Sequence, residues 1–313
     1  MTVPTVLDPA SAKIVQKRKV ASLVFMSIFL HGASKHLTPH IISPLSGFIL
    51  SSSTEGETVG LSSYWMLVEN KRGNYSFLKG IAPYSAGVVA EPGFEVVHVR
   101  FQRYIPLRAG FDAVEAHIKS AGLPLQAMCG MELRSPKPFS FTGFNEFNAG
   151  YIDVLKKWDI LLEGLNPVAR TNIAPEVNPP KEPSLYGFSY TVPSKARRKT
   201  FLVAGAGELP EGSLDPHDVV RRGESGAAAI REKAHFVMGL MEGRLRGLGV
   251  SWNDVTVSEI YTVHDIRPFL EKELLERLEE GGAHGLTWHY SRPPIESIEY
   301  EMDLRGCVTE FVI

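Results

Sequence analysis

Cysteine is scarce in this chain, because only Cys129 and Cys307 occur among its 313 residues. They form no CxxC motif and no paired spacing, so a disulfide framework or a cysteine-based metal site is not expected. The ten histidines are scattered, and none belongs to an HExxH motif or to an HxH pair beside a carboxylate. We therefore expect no metal ion and a reducing compartment such as the cytoplasm.

The chain also lacks an excess of one charge, a long apolar run and a nucleotide-binding motif. Its 33 basic and 35 acidic residues nearly balance, which argues against nucleic acid or an anionic membrane as a partner. The apolar run at residues 20–30 is too short to span a bilayer, which takes ~20 apolar residues. No GxGxxG motif, P-loop or Schiff-base lysine signature is present, so no organic cofactor is expected.

The first 66 residues differ in composition from the rest of the chain. Basic residues cluster at 13–19, apolar residues at 20–30, and Ser, Gly and Thr are frequent at 43–63. That order has the outline of a signal peptide, but it equally fits an extension that is unstructured or wrongly assigned to the protein. We favour the second interpretation and expect the ordered protein to start near Met66, with nothing to direct it out of the cytoplasm.

The order of elements predicted for residues 67–192 occurs again in residues 193–313. Each stretch reads as strand, strand, helix, strand, helix, strand, and each has a Pro-Pro pair before its final strand. A repeat of this length typically means two copies of one small domain packed together. We therefore predict an α+β fold of two tandem β-β-α-β-α-β domains, preceded by the extension at residues 1–66.

Local signals place the elements within the two copies. Residues 110–120 predict a helix with an apolar face that includes Phe111 and Ile118, and Pro92-Gly93 predicts a hairpin between two strands. The sequence further predicts strands at 127–133, 166–173, 185–190, 255–263 and 297–302, and helices at 148–158, 231–246 and 268–278.

Several short motifs stand out across residues 73–313, and their order is seen twice. They are Pro83-Tyr84-Ser85, Phe147-Asn148 with Tyr151, Pro167-Val168-Ala169-Arg170-Thr171, Ala206-Gly207-Glu208-Leu209-Pro210 and Ile298-Glu299-Tyr300-Glu301. In this order they resemble the Rid family, whose members are reactive-intermediate deaminases that hydrolyse enamines and imines. The resemblance implies a chorismate-mutase-like fold and a trimeric, barrel-like assembly with ligand clefts between subunits.

The resemblance also implies roles for individual residues. Arg170 corresponds to the arginine that binds the substrate carboxylate, whose geometry a guanidinium fork matches. Glu299 corresponds to the glutamate that orients or deprotonates the attacking water, and Glu301, which would share its strand face, is an equal candidate. Tyr84 and Asn148 would line the cleft. The same residues could instead be a surface arginine paired with an acid and two solvated glutamates.

The two copies differ in which of the expected site residues, the arginine or the glutamate, each one contains. The first has Arg170 but carries Tyr186 and Phe188 where the second has its two glutamates. The second has no arginine at the place of Arg170, although Arg292 stands just before its Pro-Pro pair. If the site lies between the domains, one copy supplies the arginine and the other the acid. Such specialisation is expected when the substrate is asymmetric or carries two charges, and we favour a dicarboxylate, with Arg170 and Arg292 each holding one carboxylate.

Among two-domain proteins of this plan, the layout resembles the deaminases that act on 2-aminomuconate and 2-amino-5-chloromuconate in nitroaromatic degradation. The resembling segments are residues 288–294 and 301–306. This resemblance implies hydrolytic release of ammonia from an enamine or imine dicarboxylate to give a 2-oxo acid. It also implies that no cofactor is used and that the protein is a homotrimer or homohexamer.

One other activity and two non-catalytic roles stay open. Chorismatases also elaborate this fold into two domains, so hydrolysis of the enolpyruvyl ether of chorismate is an alternative. A ligand-binding trimer without catalytic activity is a second, and a structural subunit of a partner enzyme is a third. Convergence of Arg170 and an acid in one cleft would favour a catalyst over a binding protein.

Overall fold

Two β-sheets and three α-helices make up residues 66–313, the part of the chain that the computed structural model describes. The α+β class predicted from the sequence is confirmed. Of the predicted extension at residues 1–66, all but Met66 lies outside the described residues. The helices are α1 (Leu107–Ser120), α2 (Phe141–Lys157) and α3 (Ala227–Leu248), and the strands are β1 (Leu67–Asn70), β2 (Tyr75–Leu78), β3 (Gly87–Ala90), β4 (Phe94–Pro106), β5 (Met128–Arg134), β6 (Ala169–Pro175), β7 (Ser184–Pro193), β8 (Phe201–Gly207), β9 (Val257–Tyr261), β10 (Thr287–His289), β11 (Ser291–Arg292), β12 (Glu301–Gly306) and β13 (Thr309–Val312).

Each sheet combines strands from both predicted copies. The seven-stranded sheet has the order β1-β2-β3-β8-β12-β9-β10, so the N-terminal strands extend a sheet built from the second copy. The six-stranded sheet has the order β11-β6-β5-β7-β4-β13, and both of its edge strands come from the C-terminal part of the chain. The strand pairing therefore crosses the predicted boundary between residues 192 and 193 in both directions.

The predicted hairpin at Pro92-Gly93 is wrong, because β3 and β4 belong to different sheets. Strand β3 pairs with β2 and β8, whereas β4 pairs with β7 and β13. A turn is present: the Phe94 N–H donates to the Glu91 carbonyl at 3.0 Å, and Gly93 has a φ of 89°, which glycine adopts without strain. Since both edges of β3 are already paired, the turn carries the chain across to the other sheet.

The helix boundaries follow capping residues. Helix α2 begins at Phe141 rather than at the predicted Asn148, because Ser140 caps it by accepting a hydrogen bond from the Gly143 N–H at 3.0 Å. Helix α3 ends at Gly249, whose φ of 68° provides a left-handed C-cap. The predicted apolar face of α1 is buried, in one core cluster with residues of β4, β5 and β7. No helix in residues 66–313 is both long and apolar enough to cross a membrane.

The regular helix predicted for residues 268–278 is wrong. A π-helical turn at Leu270–Leu274 leads into 3₁₀-helical turns that break at Glu279, where φ is 49°. Just beyond this segment, Gly281 lies against the carbonyl of Trp252 with no room for a β-carbon. The apolar positions of the segment are still buried, so the periodicity identified the buried face but not the backbone geometry.

Candidate active site

A cleft opens where parts of both predicted copies meet. Its walls come from the turn at residues 80–84, helices α2 and α3, strands β6, β8 and β12, and the loop at residues 209–214. About 680 Å³ of space between the lining residues is free of protein atoms, a figure that includes open solvent at the mouth. The charged and aromatic side chains at its surface are Tyr84, Phe144, Arg170, Glu211, Arg244 and Glu301.

Arg170 on β6 is a buried cation without a bonded acceptor. Only 2% of its surface is exposed, and Nε, Nη1 and Nη2 have no hydrogen-bond partner among residues 66–313. Its guanidinium carbon lies 4.7 Å from the centre of the Tyr151 ring, 4.8 Å from Tyr84, 5.6 Å from Phe144 and 6.0 Å from Phe147. Aromatic faces stabilise a cation, but burial still lowers the pKa of Arg170. A carboxylate bound in the cleft would supply the acceptors.

The turn that carries Tyr84 is hydrogen-bonded to the segment that leads into β6. The Ser85 N–H donates to the Val168 carbonyl at 2.9 Å, and the Asn166 side-chain amide donates to the Pro83 carbonyl at 2.7 Å. Two of the Rid-like motifs therefore bond to each other, which places the Tyr84 ring over the guanidinium. Burial raises the pKa of Tyr84, so its hydroxyl keeps a proton that it can donate in the cleft.

Glu301 enters the cleft from the first position of β12. Its backbone is held between two strands, opposite Gly207 of β8 and Tyr261 of β9. The side chain is buried, and its Oε1 lies so close to Gly205 that a β-carbon at that glycine would overlap it. The glycine in β8 therefore makes room for the carboxyl group of Glu301.

The surroundings of Glu301 favour its protonated form. Burial raises the pKa of Glu301 well above its usual range, and the neighbouring carboxylates of Asp303 and Glu208 raise it further. The positive charges of Arg244 and Arg170 act in the opposite direction but do not cancel the effect of burial. Such a carboxyl group can act as a general acid near neutral pH.

The prediction that Glu299 and Glu301 share a strand face is wrong. Strand β12 begins only at Glu301, and the chain before it turns at Ser297, where φ is 73°. The Glu299 carboxylate lies 2.7 Å from Nε2 of His264, and its side chain is 22% exposed. Glu299 therefore lies outside the lining of the cleft, and Glu301 is the glutamate that accompanies Arg170.

A buried ion pair shapes the turn before β12. The two carboxylate oxygens of Glu208 accept hydrogen bonds from the N–H groups of Glu299 at 2.7 Å and Tyr300 at 3.0 Å. Glu208 is also paired with Lys233 of α3 at 2.9 Å, and both side chains are fully buried. Because Glu208 accepts these two N–H groups, they are not available for strand pairing. Strand β12 begins at the next residue, Glu301.

Besides Glu299, two other residues predicted for the site are not among those that line the cleft. Arg292 donates from Nε and Nη2 to the two carboxylate oxygens of Glu176, at 2.7 and 3.2 Å. Asn148 is buried on α2, one helical turn from Phe144 and Tyr151, and neither atom of its amide has a hydrogen-bond partner within residues 66–313. Asn148 thus belongs to the helix face beside Arg170, whereas Arg292 is engaged elsewhere.

Two charged residues of the cleft were missed in the sequence. Arg244 on α3 donates from Nε and Nη2 to the two carboxylate oxygens of Glu211, at 2.7 and 3.1 Å, and from Nη1 to the Ala204 carbonyl at 2.8 Å. It lies three residues after Met241 and four before Leu248, on the buried stripe of the helix. A charged residue at a core position of α3 was therefore the signal available in the sequence.

Next to Arg170, a buried set of hydrogen bonds joins β6 of one sheet to β12 of the other. The Thr171 hydroxyl donates to Oδ2 of Asp303 at 2.5 Å. The Tyr261 hydroxyl lies 3.1 Å from the same oxygen and 3.0 Å from Oε2 of Glu259. Burial, together with nearby carboxylates, raises the pKa of Asp303 well above its usual range. No group of three or more His, Cys, Asp or Glu side chains in residues 66–313 is placed to hold a metal ion.

Comparison with known proteins gives matches over most of the described residues. The family model described as 2-aminomuconate deaminase CnbZ matches residues 67–311. A 2-amino-5-chloromuconate deaminase of Comamonas testosteroni is 44% identical over 244 residues, which are 77% of this chain and 96% of that protein.

Solved structures give weaker likenesses. A chorismatase is 11% identical with a TM-score of 0.38, covering 77% of this chain and 78% of that one. A putative endoribonuclease L-PSP from Entamoeba histolytica is 17% identical with a TM-score of 0.25, covering 37% of this chain and 90% of that one.

Proposed function

This chain belongs to the 2-aminomuconate deaminase family, and on that premise we propose that it hydrolyses 2-aminomuconate or the 5-chloro analogue. The products are ammonia and a 2-oxo acid, and water is the only other reactant. Family membership confirms the sequence-based prediction of a deaminase, an enzyme that acts on a C–N bond.

The observation that carries the proposal is the meeting of Arg170 and Glu301 in one cleft. Arg170 is a buried guanidinium whose three nitrogens have no acceptor among residues 66–313. Glu301 is a buried carboxyl group whose pKa is raised well above its usual range by burial and by neighbouring carboxylates. The first suits the carboxylate of an amino-dienoate, and the second suits proton delivery to its electron-rich carbon chain.

In the proposed reaction, one carboxyl group acts first as a general acid and then as a general base. Arg170 binds the carboxylate beside the amino-bearing carbon, and protonated Glu301 donates its proton to the carbon chain, converting the enamine to an iminium ion. Water then adds to the carbon that bears nitrogen, and the Glu301 carboxylate takes one of the water protons. The remaining hydroxyl proton passes to nitrogen as the C–N bond breaks, which leaves the 2-oxo acid and ammonia. A positioned acid or base contributes ~10²–10⁴-fold to the rate.

Tyr84 and Asn148 have supporting parts in this proposal. The Tyr84 ring lies over the Arg170 guanidinium, and its hydroxyl can donate to the substrate. Asn148 is buried on the helix that carries Phe144 and Tyr151, and its amide has no partner among residues 66–313. We assign Asn148 to the support of the aromatic wall around the guanidinium.

The alternatives from the sequence are less well supported. A non-catalytic binding protein does not need a buried acid beside the carboxylate-binding arginine, and the cleft has both. Hydrolysis of chorismate would use the same two residue types, but the family that matches residues 67–311 is described as a deaminase. A role as a structural subunit would leave the buried charges of the cleft without a purpose.

We further propose an assembly and a cellular setting. The Rid-like motifs support an association of three chains, or of a multiple of three, in which the copies at 67–192 and 193–313 each act as one domain. The low cysteine content supports the cytoplasm. The substrate class supports a place in the degradation of nitroaromatic compounds such as nitrobenzene.

The direct test is to incubate the protein with 2-aminomuconate and follow the loss of enamine absorbance together with ammonia. Arg170→Ala should raise KM by roughly 10- to 150-fold, because it removes a charge-assisted bond to the substrate carboxylate. Arg267→Ala is the matched control, since Arg267 is exposed and bonded to Asp265. The proposal fails if the wild-type protein releases no ammonia from any 2-amino-dienoate, or if Arg170→Ala leaves KM unchanged.

A further inference from the structure

The proposed substrate carries two carboxylates, and the structure changes the candidate for the second one. Arg292, the candidate from the sequence, donates to both carboxylate oxygens of Glu176 and is not among the residues that line the cleft. Arg244 lines the same cleft as Arg170 and comes from a different element, helix α3. The two arginines of the cleft are therefore held independently of each other.

The bonds that Arg244 already makes leave part of its guanidinium unused. A guanidinium has five N–H donors, one on Nε and two on each terminal nitrogen. Nε and Nη2 each donate one to Glu211, and Nη1 donates one to the Ala204 carbonyl. One N–H therefore remains on Nη1 and one on Nη2, and two donors on the two terminal nitrogens match the two oxygens of a carboxylate.

The same bonds fix the plane of Arg244. Glu211 holds one edge of the guanidinium at two points, and the backbone of β8 holds Nη1. Only 5% of Arg244 is exposed, so its side chain has little freedom to turn away. The positive charge of Arg244 acts on two other residues of the cleft, because it lowers the pKa of both Glu301 and Tyr84, against the raising effect of burial. A ligand group bound to Arg244 would therefore lie in the reaction cleft.

We propose that Arg244, held in place by Glu211, is the specificity-determining residue that binds the second carboxylate of the substrate. Arg170 takes the carboxylate beside the amino-bearing carbon, and Arg244 takes the carboxylate at the far end of the chain. This inference rests on the proposed function for the identity of the substrate, but the binding preference for two carboxylates can be measured without any reaction.

The binding test uses two unreactive probes that differ at one end. Muconate (hexa-2,4-dienedioate) has two carboxylates, and sorbate (hexa-2,4-dienoate) has a methyl group in place of one. The wild-type protein should bind muconate more tightly than sorbate in calorimetric titrations. The double variant Glu211→Gln/Arg244→Met removes one positive and one negative charge, so it deletes the donors without changing the net charge of the cleft. Its preference for muconate should fall by roughly 10- to 150-fold, while sorbate binding changes little.

The control variant is Glu242→Gln/Arg277→Met. Arg277 donates from Nε and Nη2 to Glu242 of α3, which resembles the pair formed by Arg244, but neither residue lines the cleft. This control should keep the preference for muconate. Arg244→Lys retains a charged donor beside Glu211 and should show an intermediate preference for muconate. If thermal melting shows that the double variant is unfolded, the preference of Arg244→Lys tests the proposal instead.

The outcomes separate the two proposals. An unchanged preference for muconate in the Arg244 variants, an equal loss in the control pair, or no preference in the wild-type protein would each overturn the role of Arg244. If the preference depends on Arg244 but the wild-type protein releases no ammonia from 2-aminomuconate, the reaction is wrongly assigned and the dicarboxylate site stands.

Discussion

At Arg170 we expect the requirements of stability and of ligand binding to oppose each other. Its guanidinium is buried against aromatic rings, and its nitrogens have no acceptor among residues 66–313. A buried polar group without a partner costs ~1–3 kcal/mol, and aromatic faces return only part of that cost. The cost is tolerable if a bound carboxylate satisfies the arginine during function.

Replacing Arg170 by Met should therefore stabilise the protein while weakening substrate binding. Methionine fills a similar volume and needs no hydrogen bonds, so the free energy of unfolding should rise by ~1–3 kcal/mol. Urea unfolding measures the gain, and ligand titration measures the loss of muconate binding. A variant that is less stable than the wild type and still binds muconate would show that Arg170 has a structural role.

Glu301 predicts a pH dependence of both activity and stability. Its pKa in the folded protein is raised well above that of the unfolded chain, so its contribution to stability is complete below the unfolded value. That contribution is lost as the pH rises through the folded value. If protonated Glu301 is the acid that starts the reaction, kcat should fall over the same rise in pH. Profiles of kcat and melting temperature against pH would show this, and a kcat that increases over that window would contradict it.

At the scale of elements, the turn between β11 and β12 is positioned by Glu208. Its carboxylate accepts two backbone N–H groups and pairs with Lys233 in a fully buried environment. Removing one partner of a buried ion pair costs ~3–5 kcal/mol. Glu208→Gln should lower the free energy of unfolding by about that amount, and it should also lower kcat because Glu301 follows directly on the turn.

A matched control is Glu242→Gln, which breaks the partly exposed pair with Arg277. Exposed pairs contribute ~0–1 kcal/mol, so this variant should unfold almost as the wild type does. Denaturant unfolding of the two variants in parallel makes the comparison. Equal stability of Glu208→Gln and wild type would mean that the buried pair does not hold the turn.

The sequence predicted elements better than it predicted their partners. The apolar periodicity of residues 110–120 correctly gave α1, because packing of one helix face is a local property. The Pro92-Gly93 turn was visible, but whether its flanking strands pair depends on β7 and β8, which are distant in the sequence. The π-helical and 3₁₀ turns within residues 268–278 were not visible either, because the apolar periodicity reports the buried face and not the backbone geometry.

The candidate site was predictable only where local motifs carried it. Arg170 and Tyr84 stand in the Rid-like motifs of the first copy, and the structure brings them together with Glu301. Arg244 was missed because nothing in the sequence shows what a buried helix residue faces. Arg292 was placed in the site by its nearness to the Pro-Pro pair, but its ion pair with Glu176 depends on the pairing of β11 with β6.

At the scale of the whole molecule, strands from the two predicted copies share both sheets. Strand β3 of the first copy pairs with β8 of the second, and β13 at the C-terminal end pairs with β4. The two halves of the candidate site follow the same division, since Arg170 lies on β6 and Glu301 on β12. We therefore expect the sheets to fold and the cleft to form together.

Separate expression of residues 66–192 and 193–313 tests this interdependence. Each half alone exposes strand edges that are paired in the whole protein, so neither should show cooperative urea unfolding. Co-expressed halves should form a complex that unfolds cooperatively and binds muconate. A half that folds cooperatively by itself would show that the exchanged strands are not required.

We propose above all that Glu301, and not Glu299, is the general acid in the cleft where Arg170 binds the substrate carboxylate. The measurement that tests it is the steady-state rate of ammonia release from 2-aminomuconate by Glu301→Gln and by Glu299→Gln. Glutamine keeps the shape of the side chain but cannot deliver the proton, so Glu301→Gln should lose ~10²–10⁴-fold in kcat with a smaller change in KM. Glu299→Gln, which alters a side chain bonded to His264, should keep most of the wild-type kcat. The reverse pattern, or full kcat in both variants, would contradict the account.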